Sequence, residues 1–245
     1  MHVVVYTVAW NEQSILPHFL RHYAALADRI VVYDNGSDDD TAALVEACPK
    51  AELREVRTRG RLHDGVKARL LSNCYREECG SADWVICVDT DELLFHPDLA
   101  GVLARYSAQG VTLPKVRGFS MVSDDPVPAS AAPRPLAETH LKGMPNPNFD
   151  KRCVFHPAVD INFGYGQHHC SPRGLVVESG RAELKLLHYK HFEVDYVWQR
   201  YRRLRERRSW FNRVRGLGFH YHESREQVEA SHELYKSRAV NVLSV

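Results

Sequence analysis

The chain has 245 residues, of which 44% are hydrophobic, so it is long enough to bury the core of one large domain. Its 32 Lys and Arg residues almost balance its 31 Asp and Glu residues, and we therefore expect no nucleic-acid partner. No run of about 18 apolar residues occurs, and the first residues lack a signal-peptide pattern, so we expect no membrane span and no export.

The six cysteines are scattered, and neither their spacing nor that of the nearby histidines matches the usual zinc motifs. In a chain without an export signal, reduced thiols are the better interpretation. We therefore expect a cytoplasmic protein.

Strand and helix patterns alternate through the first 120 residues. Apolar runs predict strands over residues 3–8, 30–33, 52–56 and 84–88, and helical spacing predicts helices over 14–26, 41–47 and 66–78. Such alternation implies right-handed βαβ units. The predicted fold class is therefore α/β, with a mostly parallel central sheet and helices on both faces.

The pattern changes after residue 120. Residues 122–148 are rich in proline and predict a long loop, residues 152–190 predict short strands, and the last 50 residues return to helix. Trp198, Tyr201, Leu204, Phe211 and Val214 form an apolar stripe along that last region. We expect one continuous domain with three parts: an α/β half (1–120), a part with a long loop and short strands (121–190) and a C-terminal helical region (191–245).

Acidic and polar residues follow the predicted strands where each one ends. In open parallel sheets, ligands bind at the carboxyl edge, so Asn11-Glu12, Asp34 and Asp89-Thr90-Asp91 should meet there. Two carboxylates at i and i+2 suit Mg²⁺ or Mn²⁺, which can also bind substrate phosphates. The alternative is that these carboxylates only cap the segment after the strand.

The segment Asp34-Asn35-Gly36-Ser37 has the composition of a tight turn. Asp34, at the very end of its strand, could accept a hydrogen bond from a base or a ribose. A plain acidic turn that precedes a helix is the alternative.

Three segments carry a family resemblance: T-V-A-W-N-E, V-V-Y-D-N-G-S-D-D-D-T and D-W-V-I-C-V-D-T-D-E-L-L. Together they resemble glycosyltransferases of the GT-A fold, similar to family 2 and its small relatives, most specifically over residues 1–95. The resemblance implies a nucleoside-diphosphate sugar donor, UDP most of all, and a hydroxyl or amine acceptor. It also implies that residues 1–120 bind the nucleotide sugar and that residues 121–190 form the acceptor side. The site residues that it implies are Thr7, Asn11, Glu12 and Asp34 for the nucleotide, Asp89 and Asp91 for metal and diphosphate, and Asp64 and Lys67 as further donor contacts.

Two further roles follow less directly. His188, after a short apolar run, resembles the late histidine that completes the metal site in GT-A enzymes, although a core or surface histidine is the alternative. An inverting transferase also needs a base for the acceptor. No Glu-Asp pair occurs between residues 93 and 190, which leaves Asp150 and His168 as substitutes.

Other functions remain open at this point. A sugar-1-phosphate nucleotidyltransferase would carry a glycine- and arginine-rich loop after its first strand, where this chain has Ala9-Trp10-Asn11-Glu12. A sugar-nucleotide-binding module without turnover is the non-enzyme alternative. The eight arginines between Arg200 and Arg215 fit a solvated helix face, and they also leave contact with a phosphorylated acceptor or with a membrane surface open.

Overall fold

The computed structural model describes residues 1–129 and 132–244. In chain order the strands and helices are β1 (Val3–Ala9), α1 (Leu16–Ala24), β2 (Arg29–Asp34), α2 (Thr41–Glu46), β3 (Ala51–Glu55), α3 (Asp64–Leu71), β4 (Trp84–Cys87), β5 (Glu92–Phe95), α4 (Leu99–Ala108), β6 (Val116–Met121), α5 (Leu136–Thr139), β7 (Lys142–Pro145), β8 (Val154–Phe155), β9 (Leu184–His188), α6 (Val194–Arg207), α7 (Trp210–Val214), α8 (Arg225–Ser237) and β10 (Val240–Asn241). The expected α/β class is confirmed.

The first sheet has the strand order β3-β2-β1-β4-β8. Its first four strands run parallel, and β8 pairs with β4 in the antiparallel direction. Alternate residues of β1 enter two different cores: Val3 and Val5 pack on one face of the sheet, and Val4 and Tyr6 on the other. Burial of both faces explains why these strands have uninterrupted β-branched sequences.

The second sheet has the order β10-β7-β6-β9-β5, and it is mixed. β5 begins directly after Asp91 and pairs antiparallel with β9, so that Glu92 lies opposite His188. This register places the histidine at the end of β9 beside the acidic segment at the end of β4.

The prediction of a long loop over residues 122–148 is wrong in part, because α5 and β7 lie within that stretch. β7 has the sequence Lys-Gly-Met-Pro, which carries no strand pattern of its own. Its pairing with β6 and β10 is tertiary: Gly143 is buried so closely against the Met121 side chain that a larger residue would collide with it.

The C-terminal region is helical, as expected, but its apolar stripe is not continuous. α6 ends at Arg207 and α7 begins at Trp210, so the helical phase is lost between them. Tyr201 is buried, whereas Val214 is 65% exposed. The predicted stripe is therefore not one continuous buried face.

Candidate functional site

The loops after β1 and β2 are joined by hydrogen bonds, as the carboxyl-edge argument requires. The Asn11 side chain exchanges hydrogen bonds with Asp38, and its backbone N–H donates to the Ser37 hydroxyl. Asn11 has a φ of 51°, a left-handed conformation that asparagine tolerates better than most residues. Next to it, the Glu12 N–H donates to the Thr41 hydroxyl at 2.9 Å.

The Asp34 carboxylate is engaged within its own turn. It accepts hydrogen bonds from the backbone N–H groups of Gly36 and Ser37 and from the Ser37 hydroxyl. Gly36 has a φ of 74°, which the turn requires and which glycine adopts without strain. Asp34 thus shapes the loop, while its neighbour Asn35 faces the cleft.

Asp89 lies between two lysines. Lys67, from α3, donates to its Oδ1, and the Lys151 ammonium is 3.7 Å from its Oδ2. Burial alone would raise the pKa of Asp89, but the two lysine charges hold it well below the usual value. The carboxylate is therefore ionised at neutral pH, and its charge is balanced.

Asp91 lies between an arginine and a histidine. Arg200, from α6, donates to its Oδ2, and His188 Nε2 is 3.4 Å from its Oδ1. Burial would raise the pKa of Asp91, yet the Arg200 charge and the contact with His188 hold it far below its usual value. Arg200 also donates to Glu12 at 2.7 Å, so one guanidinium joins the ends of β1 and β4 to α6.

Glu92 completes this acidic segment from inside the protein. It is fully buried, pairs with the ammonium of Lys151, which is 1% exposed, and accepts from the Asp89 N–H at 3.1 Å. A buried pair of this kind holds both side chains in fixed positions. Glu92 and Lys151 thus support Asp89 from behind.

A basic wall closes the opposite side of the cleft. Lys190, two residues after His188, lies 2.7 Å from His220 Nε2 and under the rings of Tyr201 and Tyr221. Burial lowers the pKa of Lys190 to about 8. Burial and the Lys190 charge together lower the pKa of His220 to about 3. His220 is therefore neutral at pH 7, and its Nε2 can accept a hydrogen bond from Lys190.

Arg207 fixes the other end of the cleft. Its guanidinium lies 3.6 Å from the Trp10 ring centroid and donates to the carbonyl oxygens of Asn35 and Gly60. A stacked arginine with two backbone acceptors ties the loops after β1, β2 and β3 together.

The structure brings together seven of the eleven predicted site residues in one cleft at the carboxyl edge of the first sheet. These seven are Glu12, Asp64, Lys67, Asp89, Asp91, His168 and His188. The other four, Thr7, Asn11, Asp34 and Asp150, do not line it. Thr7 is fully buried within β1, and Asn11 and Asp34 hold the neighbouring loops.

The two predicted base candidates differ in position. Asp150 follows a tight turn that directs its carboxylate to the Gly118 N–H, at 2.7 Å and away from the cleft lining. His168 lies in the cleft, with Nδ1 2.8 Å from the Asn148 carbonyl oxygen. That acceptor requires the proton on Nδ1 and leaves Nε2 free. Burial lowers the pKa of His168, so its neutral form prevails at pH 7.

The cleft offers suitable donor atoms for a divalent cation, although they are not gathered into a shell. Asp91 Oδ1 and His188 Nδ1 are buried without a hydrogen-bond partner, and Asp89 is close by. Oxygen and imidazole donors suit Mn²⁺. Within residues 1–129 and 132–244, however, no three His, Cys, Asp or Glu side chains stand close enough to hold a metal together.

Four charged side chains of the cleft were not predicted as site residues: Lys151, Lys190, Arg200 and Arg207. Arg200 did carry a signal, because it stands three residues after Val197 and four before Leu204, on the apolar face of α6. A charged residue on a buried face needs a partner. The two lysines lack such a signal because their partners are distant in sequence.

The parallel sheet and the cleft at its carboxyl edge define an α/β protein of the class whose ligands bind at strand ends. The model of the family "Glycosyl transferase family 2" matches residues 4–165, and the chain belongs to this family. The resemblance inferred from the sequence is thereby confirmed.

Solved structures with a similar fold include S. aureus TarS 1-349, at 14% identity and a TM-score of 0.48, over 83% of this chain and 64% of that one. Another is glucosyl-3-phosphoglycerate synthase from Mycobacterium tuberculosis in complex with Mn2+, uridine-diphosphate and glucosyl-3-phosphoglycerate. It matches at 23% identity and a TM-score of 0.31, over 49% of this chain and 44% of that one. The chain thus spans less than two thirds of either structure. None of its described helices is long and apolar enough to cross a membrane.

Proposed function

We propose that the chain is a glycosyltransferase that moves a sugar from a nucleoside diphosphate sugar, UDP most of all, to a hydroxyl or amine acceptor with inversion. The observation that carries the proposal is the setting of Asp89 and Asp91. Both are ionised in one cleft together with Lys67, Lys151 and Arg200. Such a mixture of fixed charges suits a diphosphate, whose negative charge grows as it leaves the sugar.

The cations have a defined task in this reaction. Lys67 and Arg200 are held near the strand ends by Asp89 and Asp91, so they need no reorganisation when the leaving group becomes more negative. Tight ion pairing keeps both side chains charged despite their burial. The carboxylates therefore orient the cations as well as offering oxygen ligands.

Asp89, Asp91 and His188 would hold Mn²⁺ or Mg²⁺ once their side chains moved together, because they do not form a shell as they stand. When bound, such an ion would supply Lewis-acid stabilisation of the departing diphosphate. Asp91 Oδ1, which is buried and without a hydrogen-bond partner, supports this role.

His168 is the better of the two base candidates. Its free Nε2 can take the proton of an acceptor hydroxyl, since Nδ1 is fixed by Asn148. Asp150 would have to turn away from Gly118 first. The division of the chain into donor, acceptor and helical parts, and its cytoplasmic location, remain predictions.

Measurements of binding and of turnover together distinguish a transferase from a sugar-nucleotide-binding module. We expect UDP-sugars, compared with GDP- and dTDP-sugars, to give the largest calorimetric binding signal, and to bind more tightly with Mn²⁺ present. Release of UDP from a UDP-sugar should then be detectable, first slowly with water as the acceptor. Binding without any release would indicate the binding module instead.

Asp91→Asn should abolish the Mn²⁺-dependent release of UDP. The matched control is Asp160→Asn, which removes a half-buried carboxylate that pairs with Arg76 away from the cleft and should leave release unchanged. Unchanged release in Asp91→Asn would refute the assigned role of the acidic segment.

A further inference from the structure

Three large apolar side chains are exposed within ten residues in the middle of the helical region, between α6 and α8. Trp210 is 78% exposed, Val214 65% and Phe219 72%. Trp210 and Val214 are one helical turn apart, so they share a face of α7. A hydrogen bond from the Leu217 N–H to the Asn212 carbonyl oxygen folds the following turn back towards α7. We call Trp210, Val214 and Phe219 the apolar patch.

The chain around the apolar patch is strongly basic. Residues 57–62 pack against the start of α7 through hydrogen bonds from Leu62 to Arg207 and from Ser209 to Leu62. Residues 57–62 and 207–219 contain no Asp or Glu, and their basic residues are Arg57, Arg59, Arg61, Arg207, Arg208, Arg213 and Arg215. Arg59, Arg61, Arg213 and Arg215 are exposed, and none of the four has an ion pair in the part of the chain that the structure describes. This concentration contrasts with a nearly neutral chain.

Exposed aromatic side chains among unpaired arginines are suited to a lipid surface. Tryptophan prefers the boundary between acyl chains and headgroups, and arginine pairs with anionic headgroups. Exposing an apolar patch to water is unfavourable, and these side chains contribute nothing to the buried core. Exposed patches of this kind mark interaction sites. A purely electrostatic partner, such as a nucleic acid, would use the arginines and leave Trp210 and Phe219 without a role.

We propose that the apolar patch and its flanking arginines dock the protein on an anionic lipid surface, with Trp210 and Phe219 inserted among the headgroups. Leu217 and Gly218 lie between Val214 and Phe219 in the sequence and line the cleft. Docking on this face therefore brings the cleft mouth next to the membrane. An acceptor carried by a lipid would be presented there, and this last step alone rests on the proposed function.

Sedimentation with lipid vesicles tests the proposal on the full chain. We expect binding to vesicles of phosphatidylcholine with 30% phosphatidylglycerol to be at least about tenfold tighter than to phosphatidylcholine alone, and to weaken as salt is raised. Trp210→Ser combined with Phe219→Ser should reduce binding to the mixed vesicles about tenfold or more. Arg213→Gln combined with Arg215→Gln should do the same.

A matched control uses a second exposed apolar site with an arginine nearby. Leu175 is 65% exposed and Arg173 is also exposed, so Leu175→Ser with Arg173→Gln should leave vesicle binding unchanged. Circular dichroism spectra of the variants should match that of the wild-type protein, which checks that each variant is folded. The wild-type protein should also show a blue shift of tryptophan emission on vesicles that Trp210→Phe lacks.

Three results would overturn the proposal: no sedimentation with the mixed vesicles, equal loss in the control variant, or full binding by the Trp210/Phe219 double variant. If the protein bound DNA as tightly as vesicles, and the aromatic substitutions changed neither affinity, the arginines would only attract polyanions and the proposal would be wrong. None of these results bears on whether UDP-sugar is turned over, so the two proposals fail separately.

Discussion

The Arg200 guanidinium donates to Glu12 Oε1 at 2.7 Å, across 188 positions of sequence. The same guanidinium donates to Asp91. The end of β1, the end of β4 and the middle of α6 are thus held by one side chain, which is only 14% exposed. α6 therefore forms part of the cleft lining.

Two replacements of Arg200 should lower turnover to different extents. Arg200→Lys keeps the charge, but a lysine cannot donate to Glu12 and Asp91 in the geometry of the guanidinium. We expect about a tenfold fall in kcat/KM for UDP-sugar. Arg200→Met loses the charge as well, and a fall of about a hundredfold or more is expected. Steady-state release of UDP measures both.

A matched control for Arg200 is Arg203→Met on the same helix. Arg203 is exposed, so this variant should keep wild-type kcat/KM. If Arg200→Met kept wild-type kcat/KM as well, the bridge would be structural only, and the assignment of Arg200 to the diphosphate would be wrong.

The buried pair of Lys151 and Glu92 should dominate local stability. Lys151→Met leaves the Glu92 carboxylate buried and without its partner, which costs about 3–5 kcal/mol of the free energy of unfolding. Lys151→Met combined with Glu92→Gln should recover most of that loss, since no unpaired charge remains. Urea denaturation of both single variants and the double variant gives the coupling energy. A coupling below about 0.5 kcal/mol would show that the two side chains act independently.

How much of this site could be read from the sequence depends on whether a residue's partner is close to it in the chain. Asp89 and Asp91 directly follow an apolar strand, so both the strand and its acidic end were predictable. Lys151 pairs across 59 positions, and its stretch of sequence has no periodicity that would indicate a buried charge. The pairing register between β5 and β9 brings His188 to Asp91, and a register of this kind depends on the completed sheet.

Gly118 links the fold of β6 to the cleft. A Cβ at this position would overlap the backbone of Phe149, whose ring packs edge-on against His188 with centroids 4.2 Å apart. We expect Gly118→Ala to cost about 1–3 kcal/mol of stability, as overpacking usually does. The displaced Phe149 should also lower turnover.

Gly180→Ala is the control for Gly118→Ala. No atom lies within 4 Å of a Cβ built there, so stability and turnover should stay close to wild type. Thermal unfolding and UDP release measure both variants. If Gly118→Ala were as stable as Gly180→Ala, the close packing between β6 and Phe149 would not constrain the cleft.

Acidification should destabilise the protein through His220. Burial, with the nearby Lys190 charge, lowers the pKa of His220 from 6.5 to about 3, so the folded protein binds this proton less readily than the unfolded chain. Its contribution to stability is therefore complete above pH 6.5, and it is lost progressively as the pH falls towards 3. In His220→Gln this part of the pH dependence should be absent, so the stability difference between wild type and variant should shrink between pH 7 and pH 4. Urea denaturation across this range measures it. If the free energies of unfolding of the two proteins changed with pH in parallel, His220 would be accessible to protons in the folded state. Lys190 would then not be held by a neutral imidazole.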